Sequence, residues 1–331
     1  MGDPLHPVAN IQTTASTDLA LEMKEFYDRM LLERTVPNLH HLKFGQVKRI
    51  PMHGGRTIEW RKFDALPTAT TPLTEGALYT DLKDIVVTNV QGEVAQYGDA
   101  VGFSDIVSTT TIDPLLAETT KILAEQASQT IDEVTKDTLI TGTTVRFANA
   151  AASQVTIAAG DDFASMDGEG GAQAGGSLND LRLIALDLEL NRARRINGYW
   201  QAITHPRVMF DIQSTTEWRE AQLYNQTNRI FDGSVGEIYG IKFWVSDVAH
   251  VFAAAGAAGI DVYTMLVFGQ DAFGTIRLAG HNLQTIFKPL GSAGSADALN
   301  QQSTMGWKVL FGTKILQEQF MLRYECAVST A

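Results

Sequence analysis

Apolar and polar positions change their period several times along the chain, and each change marks a predicted element. Between Thr17 and Pro37, Leu19, Met23, Phe26, Tyr27, Met30 and Leu31 recur at helical spacing, so the pattern predicts an amphipathic helix capped by Thr17 or Asp18. This segment reads as a detachable arm. From "KRIPMHGGRTIEWRKFDAL" onward the period falls to two: Ile58, Trp60 and Lys62 alternate with Thr57, Glu59, Arg61 and Phe63, which predicts an extended strand. The Pro-, Thr- and Gly-rich stretch "PTATTPLTEGALYTD" then reads as a loop tip, and "LKDIVVTNVQGEVAQYGDAVGFSDI" returns as strand. A two-stranded ribbon of this kind has little core of its own and must rest on something else, another subunit being one such support.

Helical spacing comes back after Asp113, an N-cap with Pro114 at the first helical position. Leu116, Leu123, Ala127, Ile131 and Val134 form one stripe, and Gly142 is the expected stop, which gives a rod of roughly 29 residues and about 43 Å. Residues 143–176 turn to small and acidic types, including "GDDFASMDGEGGAQAGGS", and predict a hairpin or mobile insertion that need not be core. A second helix is predicted from Ser177 to Asn197, capped by Ser177 or Asn179, with basic residues in its last turn and Gly198 after it. "YWQAITHP", "IKFWVSDV" and "VYTMLVFG" read as strands and "RVMFDIQ" as a short helix, so this lobe is layered α/β or α+β. The final "MGWKVLFGTKILQEQFMLRYECAV" is expected to close a sheet beside the long helix.

Composition narrows the reading. The chain has 331 residues, 44% apolar and 19% charged, enough to bury a sizeable core in two or three lobes. Its 38 acidic and 26 basic side chains give a net charge of -12, and no basic block is present to track a nucleic-acid backbone. Cys326, the single cysteine, excludes an intrachain disulfide and reads as a small buried apolar group. The start has neither a charged n-region nor an apolar h-region, its sixth residue is not the hydroxyl of a myristoylation signal, and no stretch approaches a membrane span. The expected setting is therefore cytosol-like, away from membranes.

Candidate chemistry is sparse. "GSVGEIYG" places Gly233, Gly236 and Gly240 where a phosphate cradle is conceivable, but Ile241 and Lys242 follow instead of Lys-Ser/Thr, G-x-G is missing, and the next segment is a strand. These glycines predict a structural turn. His40, His41 and His53 lack metal-ligand spacing and read as surface or interface residues. Asp132 with Glu133 reads as a solvated helix face, and Asp161 with Asp162 cannot be paired across a cleft from sequence. No G-x-S-x-G occurs, and the aromatics of "GYW" and "KFWV" read as core. The prediction is no catalytic residue, no cofactor and no metal.

Arm, ribbon, rod helix and separate layered lobe, in that order, resemble the major capsid proteins of tailed bacteriophages with the Hong Kong 97-type fold. More specifically, "IPMHGGRTIEWRKFDALPTATTPLTEGA" followed by "AQYGDAVGFSD" resembles the N4-like major capsid protein family, with its L-x-E-G tip (here Leu73, Glu75, Gly76) and Y-G-x-x-x-x-x-S-D return strand. The resemblance is carried by residues 16–142, and across 178–328 by element order with "HPRVMFDI" and "GEIYGIKFWVSD".

What the resemblance implies is an α+β fold divided into an N-terminal arm (1–55), an extended β-hairpin loop (56–103), a peripheral domain (104–177) with a spine helix over 113–142, an axial α/β domain (178–300) and C-terminal strands of the peripheral domain (301–331). It implies hexamers and pentamers building an icosahedral shell around double-stranded DNA, held without sequence-specific contacts, in a virion assembled in the host cytoplasm. Expected partners are other copies of the chain, a portal protein and a separate scaffolding protein, since the N-terminus is short for a built-in one; decoration or cement proteins are an open addition. No Lys-to-Asn cross-link is expected, because neither Lys62 nor Lys83 matches such a position. Arg56, Glu59, Arg61 and Lys62, with the tip residues Leu73, Glu75 and Gly76, are the expected intersubunit contacts. Two other functions stay open: an encapsulin-like compartment, and a soluble α/β enzyme with a site near the glycine turn.

Overall fold

A computed structural model describes residues 40–72, 75, 76, 78, 80, 82–106, 115–165, 178–219, 236–280, 283–294 and 297–329. The predicted arm helix, the Asp113-Pro114 cap, Leu73, Gly233 and residues 166–177 lie outside these. Along the chain run β1 (Gln46–Ile50), β2 (Thr57–Phe63), β3 (Val87–Glu93), β4 (Ala95–Ser104), α1 (Leu115–Ile140) and β5 (Val145–Phe147). After them come α2 (Asn179–Leu190), β6 (Trp200–Thr204), α3 (Pro206–Ser214), β7 (Gly236–Ile238), β8 (Ile241–Val245) and β9 (Val251–Phe252). The chain closes with β10 (Val262–Phe268), β11 (Phe273–Leu278), β12 (Gln284–Lys288), β13 (Gln302–Ile315) and β14 (Met321–Cys326).

Three sheets result. One is ordered β1-β11-β13-β12, with β4 also paired to β13; a second is ordered β5-β14-β10-β6-β8-β7, with β9 on β10; the third is the β2-β3 ribbon. β13 organises the first sheet because its alternation serves two sides. Met305, Trp307, Val309 and Phe311 are buried against Leu116, Leu123, Ala124, Ala127 and Ile131 of α1, while Leu310 faces the other way, toward Trp60 and Ile276. At 26 residues α1 is about 39 Å long, and the hydroxyls of Thr120, Ser128 and Thr135 fold back onto carbonyls one turn earlier. In the second sheet every residue of β10 is buried, as a strand covered on both faces requires.

Several expectations need correction. Residues 143–165 are not a separate insertion: β5 pairs parallel with β14, and Ala148, Ile157 and Phe163 are buried. The second helix stops at Leu190, seven residues before Asn197. Arg192 takes φ 57 there, and the N–H groups of Arg192 and Ala193 donate back to Glu189 and Leu188, a Schellman closure that turns the basic segment out of the helix. The C-terminal segment is divided between two sheets: β13 lies along the long helix, whereas β14 joins the other sheet and meets only the end of that helix, near Leu139 and Ile140. β11 and β12, placed by sequence with the axial lobe, pair with β13 instead. Gly142, two residues past the end of α1, is not a left-handed cap: its φ is not in that region, and the glycine instead leaves room for the Met321 methyl, with which a Cβ would collide. Arg323 meets the freed carbonyls of Ile140 and Gly142, a cation at the negative end of the helix.

Candidate interaction surface

The ribbon is the part of the molecule with the least internal support. Along β2 only Trp60 is buried, and its indole lies where Gly92 of β3 and Gly274 of β11 leave room; a Cβ on either glycine would come within 2.8 Å of it. Lys48 sits 5.6 Å over the same ring. Trp60 therefore seats the ribbon's root on the first sheet, among Ile50, Val94 and Ile276. Sequence reading placed Trp60 on a strand without giving it this role; the signal was one large aromatic in an otherwise polar alternation.

Beyond the root, apolar side chains face solvent. Phe63, Leu66, Ile85 and Val86 are more than half exposed, and Leu78 and Leu82 are 89% and 83% exposed. A monomeric soluble protein seldom leaves so many large apolar groups together, and such a run marks a surface meant for a partner.

The sequence-predicted contact residues divide into two sets. Arg56 is ion-paired to Glu93 at 3.0 Å and Glu59 accepts from Gln91 at 2.6 Å, both across the ribbon itself. Arg61 and Lys62 are exposed on opposite faces of β2, and Glu75 and Gly76 are exposed at the tip, with Gly76 at φ +77. Among the glycines, Gly240 (φ 77) and Tyr239 (φ 51) form the two-residue connection between β7 and β8, with Ile238 opposite Ile241 in register. Positive φ at both central residues is the type I′ hairpin geometry. Gly236 is buried within β7, and Arg195, stacked on Trp200 at 4.2 Å, fills the space beside Gly240.

Several polar groups inside the molecule are held in pairs that join distant parts of the chain, while others, such as His41 Nε2 and the Thr204 and Ser246 hydroxyls, have no hydrogen-bond partner among the described residues. His41 and Asp132, expected on surfaces, are both buried: Asp132 accepts from the His41 backbone N–H at 2.8 Å and contacts its Nδ1 at 2.6 Å, tying the chain before β1 to α1. The Tyr324 hydroxyl donates to Asp180 at 2.7 Å, Asn149 donates to Asp161 at 2.9 Å, and the Ser329 N–H donates to Asp211 at 2.9 Å. Burial, followed by the charges of Asp211, Asp162 and Asp180, pushes the Cys326 thiol well above its ordinary pKa, which makes it a poor nucleophile. Burial likewise raises the Asp211 carboxyl, against the lowering effect of Ser329. Among the described residues no group of three His, Cys, Asp or Glu side chains is set to hold a metal, and no helix is long and apolar enough to cross a membrane.

No family model and no curated protein matches the chain. Solved structures do, and they define a class: the chain has the fold of phage capsid chains. Its neighbours include the capsid chain of cyanophage P-SCSP1u, at TM-score 0.64 and 16% identity over 86% of this chain and 87% of that one. The capsid of Ralstonia phage GP4 gives TM-score 0.63 and 12% identity over 86% and 87%, and the capsid asymmetric unit of cyanophage Pam1 gives TM-score 0.59 and 14% identity over 100% of both chains.

Proposed function

We propose that the chain is a tailed-bacteriophage major capsid protein of the Hong Kong 97-type fold, in the N4-like group. Copies assemble as hexamers and pentamers into the icosahedral shell of a virion around double-stranded DNA. The observation that carries this reading is the match to phage capsid chains over 87% of the length of two of them and 100% of a third. In this reading the first sheet with α1 is the peripheral domain, the second sheet is the axial domain, and the ribbon is the extended loop that lies on a neighbouring copy. The role is structural, without catalysis. Many modest contacts of arm and ribbon then sum to a stable closed assembly, and a chain of net charge -12 holds the genome without gripping it. A portal protein and a separate scaffolding protein complete the assembly in the host cytoplasm, with decoration or cement proteins as a further addition.

Because Arg56 and Glu59 are engaged within the ribbon, the proposed intersubunit ion pairs rest on Arg61 and Lys62, and they set register more than affinity. Electron microscopy of the protein expressed alone and with a candidate scaffolding protein tests the main reading: closed shells or capsomer rings are expected, and a persistent folded monomer under both conditions overturns it. Charge reversal at Arg61 is expected to alter particle yield, size or salt tolerance; unchanged particles would remove the ion-pair role.

A further inference from the structure

At one edge of the first sheet two arginines stand side by side. β1 runs parallel to β11 with Arg49 opposite Arg277, so on strands about 4.8 Å apart both side chains leave the same face. Among the described residues β1 is an edge strand, with β11 as its strand partner. Arg49 is exposed and Arg277 half-buried, and among the described residues neither has an ion-pair partner. Burial, and after it the charge of Arg49, pulls Arg277 below the ordinary arginine range. Like charges placed directly opposite on neighbouring strands are destabilising. Val47 and Met52, 51% and 56% exposed, are apolar neighbours in the same part of the chain; exposed apolar groups beside arginine are the composition of a protein interface core.

We propose that the Arg49 and Arg277 edge is a docking surface for a carboxylate-bearing segment of a second copy of this chain. The inference rests on the shell-subunit reading and adds the residues of one contact. Charge complementarity selects the partner: a chain with 38 acidic and 26 basic side chains offers surplus carboxylates on every copy. A nucleic-acid backbone is the poorer match, since the neighbours of the pair are valine and methionine, and Lys48, the nearest lysine in sequence, is turned to the opposite face over Trp60.

Sedimentation velocity over a concentration series, with and without the candidate scaffolding protein, tests it on the full chain and on Arg49→Glu, Arg277→Glu and Arg277→Gln. The expected result is association at least tenfold weaker in each variant, with a thermal midpoint equal to or above that of the parent, because the like-charge contact is gone. Arg49 is exposed, so its variant reads out association even if Arg277→Glu folds poorly. Assembly of the parent with equal assembly of the Arg49 and Arg277 variants overturns the inference and leaves the shell reading standing. Variants that lose thermal stability in step with association assign the pair an internal structural role and also overturn it. So do normal shells that fail to retain DNA, which point to phosphate as the partner. A parent that stays monomeric throughout overturns both.

Discussion

β10 and the β2-β3 ribbon are both built of strands, yet they are opposites in support. β10 is buried from Val262 to Phe268, between strands on both edges and side chains on both faces, whereas β2 buries Trp60 and leaves Phe63 and most of its length to solvent. The first region is stabilised by its own chain. The second holds its shape through register with β3 and one indole seat, so its apolar surplus is available to something outside the subunit. The proposed shell role needs both: a lobe that folds before assembly, and an extension whose burial is deferred until a neighbour arrives.

That contrast can be broken experimentally. Phe268→Ala removes a fully buried ring that packs edge-on against Phe273 at 5.3 Å, and is expected to cost about 3–5 kcal/mol of subunit stability in denaturant titration. Gly240→Val places a β-branched residue at φ 77 and is expected to cost about 1–2 kcal/mol. A loss below about 0.3 kcal/mol would mean that the hairpin relaxes at little cost. On the ribbon, Leu78→Ser with Leu82→Ser is expected to change subunit stability by less than about 0.5 kcal/mol while abolishing or sharply reducing shell formation. Equal assembly by light scattering would show that the exposed leucines have no partner.

The smallest effect sharpens the comparison from the pH side. Asp211 has its carboxyl raised by burial, so its folded pKa lies above the unfolded one. Its contribution to stability is then complete below the unfolded value, near about 4, and is lost as pH rises through the folded value. Asp211→Asn should flatten the fall in stability on going from acid toward neutral pH; an unchanged slope would assign the pH dependence to other groups.

Much of this division was legible in the sequence because it is written in local period. The α1 stripe, the β2 alternation and the apolar runs of β6, β8 and β10 each come from neighbours in the chain. What escaped depends on partners far apart. Residues 143–165 look dispensable by composition, and only the parallel pairing of Val145–Phe147 with β14 makes them part of the sheet. His41 and Asp132 meet across 91 positions. The seat of Trp60 needs Gly92 and Gly274, from two other strands. The Arg49 and Arg277 contact exists only through a parallel register that no short window contains. Of the candidate surface, the ribbon itself was visible, but Arg56 and Glu59 are satisfied within it, and that depends on the register with β3.

The junction of β3 and β4 has a mechanical meaning. β3 ends at Glu93 and β4 begins at Ala95, so a pull on the ribbon passes with little slack into β4, which is paired with β13 from Ala95 to Ser104. Tension along β4 loads that ladder in shear, where its hydrogen bonds share the force instead of opening one after another like a zipper. Six residues after the end of β13, β14 starts in the other sheet. A tug at the tip is thus delivered to both halves of the subunit, and in the proposed shell a ring of copies linked in this way would carry internal pressure as hoop tension along the polypeptide itself.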